Sequence, residues 1–198
     1  MKTNQINSVF RHSIIIVICS FFLPLHGLTQ NIYKQTGDSF ITVAGTSTLH
    51  EWTMTSKEGK YQAEFEINAE GAPTKLKVIT VTIPSESLKS GHSGSMDKNA
   101  YGSLKTKTHK TISFSLVSAT LLNNKFQCTG HLTISGVTKQ IIVDTEYKVK
   151  PDKSLLFTGS KPIKMTDFQI EPPSFMFGAV KTGDDITISF NLNLIPLK

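Results

Sequence analysis

From Ile32 to the C-terminus, apolar residues recur at every second position in one short run after another, and that period is the strongest constraint on the fold. It is cleanest in Ile186–Leu194, where Ile186, Ile188, Phe190, Leu192 and Leu194 alternate with Thr187, Ser189, Asn191 and Asn193. A period of two puts successive side chains on opposite faces of a strand, one toward a core and one toward water. Gln62–Ile67 repeats the pattern with Ala63, Phe65 and Ile67, and Thr111–Val117 repeats it with Ile112, Phe114 and Leu116. Phe126–Ser135 is predicted to pair with Gln140–Val149 across a Gly136-Val-Thr-Lys139 turn, and Leu155–Lys164 forms a further run. Leu76–Ile83 is apolar on both parities (Val78, Ile79, Val81, Ile83), which predicts a strand covered on both sides or carrying a bulge. Helical periodicity is confined to Ser95–Leu104, where Ser95 is placed to cap one or two turns with Asp97 in the first. Short strands at this spacing predict an all-β sandwich or barrel, with the barrel favoured.

Ile41–Trp52, ITVAGTSTLHEW, organises the chain. Ile41, Val43, Gly45, Ser47 and Leu49 form a mostly apolar or small parity, and the segment ends on His50 and the single tryptophan, Trp52, whose large ring will dominate burial wherever it sits. Asp167–Gly183 is irregular. Pro172-Pro173 cannot continue a central strand, yet Phe168, Ile170, Phe175, Met176 and Phe177 are too apolar for a solvated loop, so the segment must pack inward over a core or across an opening.

Residues 1–29 read as a secretory signal peptide. Lys2 and Arg11 form a basic start, Ile14–Leu23 is an apolar run about half the roughly 20 residues a spanning helix needs, and Gly27 and Thr29 suit cleavage near Thr29. A lipid anchor at Cys19 is the weaker rival, since Ile18 occupies a position that wants a small residue. Removing the leader takes two cations and no acid from the formal charge of +6, and the remaining lysines are scattered with no arginine among them. Clustered Arg and Lys with interleaved aromatics would mark a nucleic-acid surface, so a nucleic-acid partner is not expected, nor is a membrane span. Cys128 then stands alone, which rules out an intramolecular disulfide and leaves stability to the core.

Histidines 50, 92, 109 and 131 show no i, i+2 or i, i+4 pairing, and no Cys or carboxylate joins them at ligand spacing, so no metal or cofactor is expected. There is no G-x-S-x-G elbow or phosphate loop, and Cys128 in FQCTGHL has no evident base, so no catalytic residue is assigned.

Gly45-Thr-Ser-Thr-Leu-His-Glu-Trp52, the Leu104–Phe114 passage ending His109-Lys-Thr-Ile-Ser-Phe114, Gly130-His-Leu-Thr-Ile-Ser-Gly-Val-Thr-Lys139, and Met165-Thr-Asp-Phe-Gln-Ile-Glu-Pro-Pro173 with Lys181-Thr-Gly-Asp184 together resemble the YceI-like family of secreted polyisoprenoid-binding proteins. The likeness is greatest to its shorter, GTSTLHEW-type variants. It implies an eight-stranded antiparallel lipocalin-like barrel over residues 30–198 with one short helical segment, an elongated apolar cavity, and secretion to the periplasm. The expected function is non-catalytic sequestration or transport of an isoprenoid, quinone or similar amphiphile. Alternation then assigns Ile41, Val43, Trp52, Phe65 and Ile67 to the cavity lining, with Phe114, Leu116, Phe190 and Leu192. Phe168, Phe175, Met176 and Phe177 are either a lid or a core plug, and His50 is a candidate head-group contact. The alternative is a filled structural barrel acting through its surface in an envelope stress or assembly role. A homodimer through an edge strand or Cys128 is left open.

Overall fold

The period-two runs become eleven strands, with one α-helix and three single-turn 3-10 helices, in a computed structural model that describes residues 29–91 and 94–197. The strands are β1 (Thr29–Gln35), β2 (Phe40–Ser47), β3 (Glu51–Ser56), β4 (Lys60–Ile67), β5 (Pro73–Pro84), β6 (Thr111–Leu122), β7 (Lys125–Ile134), β8 (Val137–Val149), β9 (Leu155–Lys164), β10 (Ser174–Phe175) and β11 (Val180–Pro196), with α1 at Gly94–Ser103. The expected leader lies outside the described residues except at Thr29, where β1 begins.

Eight strands, in the order β1-β4-β5-β6-β7-β8-β9-β11, pair antiparallel and close because β1 also pairs β11, Tyr33 opposite Pro196. Closure removes the exposed edges that an open sheet would present. After β1 the chain steps aside over Thr36–Ser39 and resumes along β11 as β2, which carries β3 as its hairpin partner. β3 is tied back to the segment after β5 by reciprocal backbone bonds between Thr55 and Lys89 (2.8 and 3.0 Å) and by the buried Ser56–Ser87 hydroxyl pair at 2.6 Å. A register shift at Glu64/Phe65 puts a bulge between β4 and β5, beside the mixed-parity run.

Two expectations need correction. The hairpin loop is Ser135-Gly136, not Gly136–Lys139: both residues have positive φ (50° and 79°), which suits a two-residue turn whose twist matches the strands, so Val137 to Lys139 join β8. Asn193, on the polar parity of β11, is only 7% exposed because Thr36–Ser39 folds over it. Its backbone N–H donates to Ser39 Oγ (2.9 Å), its carbonyl accepts from Thr36 N–H (2.9 Å), and Lys150 Nζ donates to its side-chain oxygen.

One end of the barrel is filled. Phe65 stacks on Phe157 at 5.2 Å between centroids and takes the edge of Tyr33 at 5.4 Å, while Phe126 and Tyr147 lie 6.2 and 5.9 Å from Phe157. Leu155 and Leu194 are fully buried in the same cluster. Aromatic pairs of this kind add about 0.5–1.5 kcal/mol each beyond the area they bury.

Candidate functional site: an apolar cavity open at one end

Above the aromatic floor the barrel is hollow, with a cavity of about 960 Å³. That is at the upper end of the roughly 300–1,000 Å³ of small-molecule sites. Register explains the wall. Across β9, β11, β2 and β3, successive inward rows are Ile163-Ile186-Gly45-Trp52, then Lys161-Ile188-Val43-Met54, then Gly159-Phe190-Ile41-Ser56.

Three of the wall aromatics lie flat because a glycine lies beneath each ring. A Cβ on Gly45 would come within 2.5 Å of the Trp52 ring, one on Gly159 within 2.5 Å of Phe190, and one on Gly130 would collide with Phe114. Trp52 also donates from Nε1 to the Thr46 carbonyl at 3.1 Å, which pins its polar edge while its face lines the cavity.

The mouth is bordered by the β2–β3 turn, by α1 and by the stretch between β9 and β11. α1 presents Met96 and Ala100 to the hollow, with Leu104 one spacing further on just past its end, and has no fully buried residue, so it is a cover and not a core helix. It is held by its flanks: Asp97 Oδ1 accepts Ser90 N–H at 2.8 Å, and Tyr101 accepts from Lys89 Nζ at 2.6 Å and donates to the Glu86 or Leu88 carbonyl (2.8, 3.0 Å). Ser135 Oγ ties the β7–β8 turn to the Leu104 carbonyl at 3.0 Å. Opposite, Asp184 accepts from both the Thr166 backbone N–H (2.9 Å) and its hydroxyl (2.7 Å), and those bonds hold its carboxyl below the usual range. They clamp the Met165–Ile170 turn, whose Phe168 is 1% exposed.

Of the residues expected to line a cavity, Ile41, Val43, Trp52, Phe114, Phe190 and Leu192 do border it, as do Phe168 and Phe175. Phe65 does not: it is wholly buried in the filled end, and Ile67 and Leu116 pack against that cluster. Alternation tells inside from outside but carries no information on height along the barrel axis. Phe177 is fully exposed on a backbone with φ of 56°, turned away from the cavity, while the side chain of Met176 lies outside the described residues. The Asp167–Gly183 segment thus divides its aromatics between a buried Phe168, a rim Phe175 and an outward Phe177. His50 sits exposed at the mouth in a turn where Ser47 Oγ accepts from the Leu49 and His50 N–H groups at 3.2 Å, with its own Nδ1 2.6 Å from the Glu51 carbonyl oxygen.

Alternation alone did not mark two chemically distinct lining residues. Lys161 faces the cavity, and its position in the alternation Phe157, Gly159, Lys161, Ile163 was the available signal. Cys128 also lines it, buried, and burial pushes its thiol up to about 11, which keeps it protonated and unreactive at neutral pH. No group of three or more His, Cys, Asp or Glu among the described residues is placed to hold a metal, and no described helix is long and apolar enough to cross a membrane.

Several solved structures share this fold. Burkholderia cenocepacia BcnA superposes with a TM-score of 0.67 at 21% identity, covering 78% of this chain and 95% of its own. A polyisoprenoid-binding domain from Saccharophagus degradans, implicated in plant cell wall breakdown, gives 0.59 at 13% identity over 84% of this chain and 98% of that one. The Campylobacter jejuni YceI protein gives 0.53 at 24% identity, over 70% and 81%. Among curated proteins none matches by sequence. The model of the YceI-like domain matches residues 35–194, which takes in every strand of the barrel after β1, so this chain belongs to the YceI-like family.

Proposed function

We propose that this protein is a non-catalytic carrier that takes the apolar chain of an isoprenoid, quinone or similar amphiphile into its barrel, in the periplasm or outside the cell after loss of residues 1–29. The observation that carries the reading is the 960 Å³ cavity, walled by apolar side chains, open at α1 and closed by stacked aromatics. An isoprenoid tail makes no hydrogen bonds, so its affinity must come from buried area at about 25 cal/mol per Å², less the cost of ordering the chain. The relative described as polyisoprenoid-binding has the same fold, which supports this ligand class. His50 is exposed at the rim, where it would meet a polar head left outside the cavity. The filled-barrel alternative finds no support in a hollow of this size.

Native mass spectrometry of the exported protein, followed by organic extraction, tests the proposal. A stoichiometric apolar molecule is the expected result, together with a rise in Tm when the emptied protein is given ubiquinone or a polyprenol, since a ligand held 100-fold above its Kd adds about 2.7 kcal/mol. A bare polypeptide mass with no shift from either compound would sink it.

A further inference from the structure

Lys161 breaks the chemistry of the wall. It is half-buried in the middle of the three inward rows, level with Ile188, Val43 and Met54 and not at the rim. Its side chain makes no ion pair or hydrogen bond with the described residues; the neighbouring Lys164 takes Asp185 at 3.1 Å and Asp184 at 4.0 Å. The other formally charged residue bordering the cavity, Glu51, lies at the mouth end of β3. An ammonium partly withdrawn from water and without an ion-pair partner is stabilised by an anion brought beside it.

The wall is split where this lysine stands. β8 pairs β9 only through Thr145–Val149 and Leu155–Gly159, so beyond Gly159 the strand keeps β11 alone and Pro162 leaves no ladder bond unmade. A second, more open hollow of about 550 Å³ lies along the seam, where Lys139, Gln140 and Asp167 join an apolar lining that includes Ile142 and Pro162, and Lys161 and Phe168 are among the residues that border both hollows. Lys161 therefore stands between an apolar chamber and a more open seam that carries polar side chains, the arrangement an amphiphile requires.

We infer that Lys161 is the head-group site for a single-chain amphiphile with an anionic head, a carboxylate or phosphate held at the β8–β9 seam while the tail fills the cavity. The inference rests on the carrier reading and narrows its ligand class. A charge-assisted bond is roughly twice as strong as a neutral one, so a neutral head such as a quinone carbonyl or an alcohol gains much less at this position.

The test titrates the delipidated full-length mature protein at pH 8 with hexadecyl phosphate, hexadecanoate and hexadecanol, following fluorescence of the sole tryptophan, Trp52, in the cavity wall. At least one of the two anions is expected to bind about tenfold or more tighter than the alcohol. Lys161→Met should abolish that difference by weakening the anions alone, and Lys161→Arg should keep it. Which anion binds tighter separates a phosphate-headed from a carboxylate-headed ligand. Equal affinity for all three, or an anion preference that survives Lys161→Met, overturns the Lys161 site while hexadecanol binding upholds the carrier reading. Failure of all three to bind overturns both. If Lys161→Met does not melt cooperatively, the comparison of the three ligands on the native chain and on Lys161→Arg decides.

Discussion

The two ends of this barrel are built from the same alternating strands yet do opposite things. At the β1 end the inward positions carry Tyr33, Phe65, Phe126 and Phe157, whose rings meet within 5.2 to 6.5 Å and leave no room. At the α1 end the inward positions carry glycines at 45, 130 and 159 and branched aliphatics, and the large rings that occur, Trp52, Phe114 and Phe190, lie flat over those glycines. An eight-stranded barrel is just wide enough to be filled by its own side chains or to hold one small ligand, and here it does each in one half. The floor is closed by stacked rings, while the upper half combines the open space with a second buried cluster of Leu132, Ile134, Ile163, Phe168 and Ile186.

That contrast can be broken most severely at Phe65. Phe65→Ala is expected to lose about 3–5 kcal/mol in chemical denaturation while leaving cavity affinity nearly unchanged, whereas Ile188→Ala in the upper wall should lose about 2 and alter binding. Equal losses at both sites would remove the distinction. Gly159→Ala is next: the new Cβ would meet Phe190 at 2.5 Å and the Asp144 carbonyl at 2.8 Å, and the backbone contact cannot easily give way. A loss of about 1–3 kcal/mol is expected with weaker ligand binding, as Phe190 is pushed into the chamber, and an unchanged Kd in calorimetry would show that the glycine does not shape the cavity.

Tyr61, in β4, sharpens the comparison in the other direction. Its buried hydroxyl has no partner among the described residues and burial raises its pKa, so Tyr61→Phe should leave Tm unchanged or raise stability by up to about 1–2 kcal/mol; a marked fall would show that the hydroxyl is bonded. The smallest effect on stability near neutral pH concerns Cys128. With its thiol held near 11 instead of 9.0, the folded protein at pH 8 should react with a disulfide reagent about a hundredfold more slowly than the unfolded chain. Because the folded value is the higher one, the contribution to stability is constant below the unfolded value and declines as pH rises through about 9, where the unfolded thiol ionises first. Denaturation midpoints of the native protein and Cys128→Ala across pH 7 to 10 check that sign, and a Cys128-dependent gain at high pH would contradict it.

Much of this was legible in the chain. The alternation of β11 and β4 marked both as strands and identified their inward apolar residues, because the side-chain period of a strand is a local property, and only Asn193 on the polar parity of β11 was misjudged. The short helix was legible as a break in the alternation, although it begins at Gly94, before the expected cap Ser95, and runs ten residues, more than the expected one or two turns; the Asp167–Gly183 stretch was legible from its conflict between proline and phenylalanine. Lys161 was hidden because one charge within an apolar parity looks like noise until neighbouring strands align it with Ile188, Val43 and Met54. Phe65 and Phe190 are indistinguishable by pattern, and only strand register places the first in the floor and the second beside the hollow.

Local rules thus decided which residues form strands, which face each turns inward, and that closure into an all-β barrel was favoured. Tertiary structure alone decided where along the axis the barrel is filled, that Phe168 and Phe177 part company within one segment, and that β8 and β9 separate at Lys161. The reason is that alternation repeats every two residues and is blind to register, while a cavity is made by which residues of different strands come to the same height.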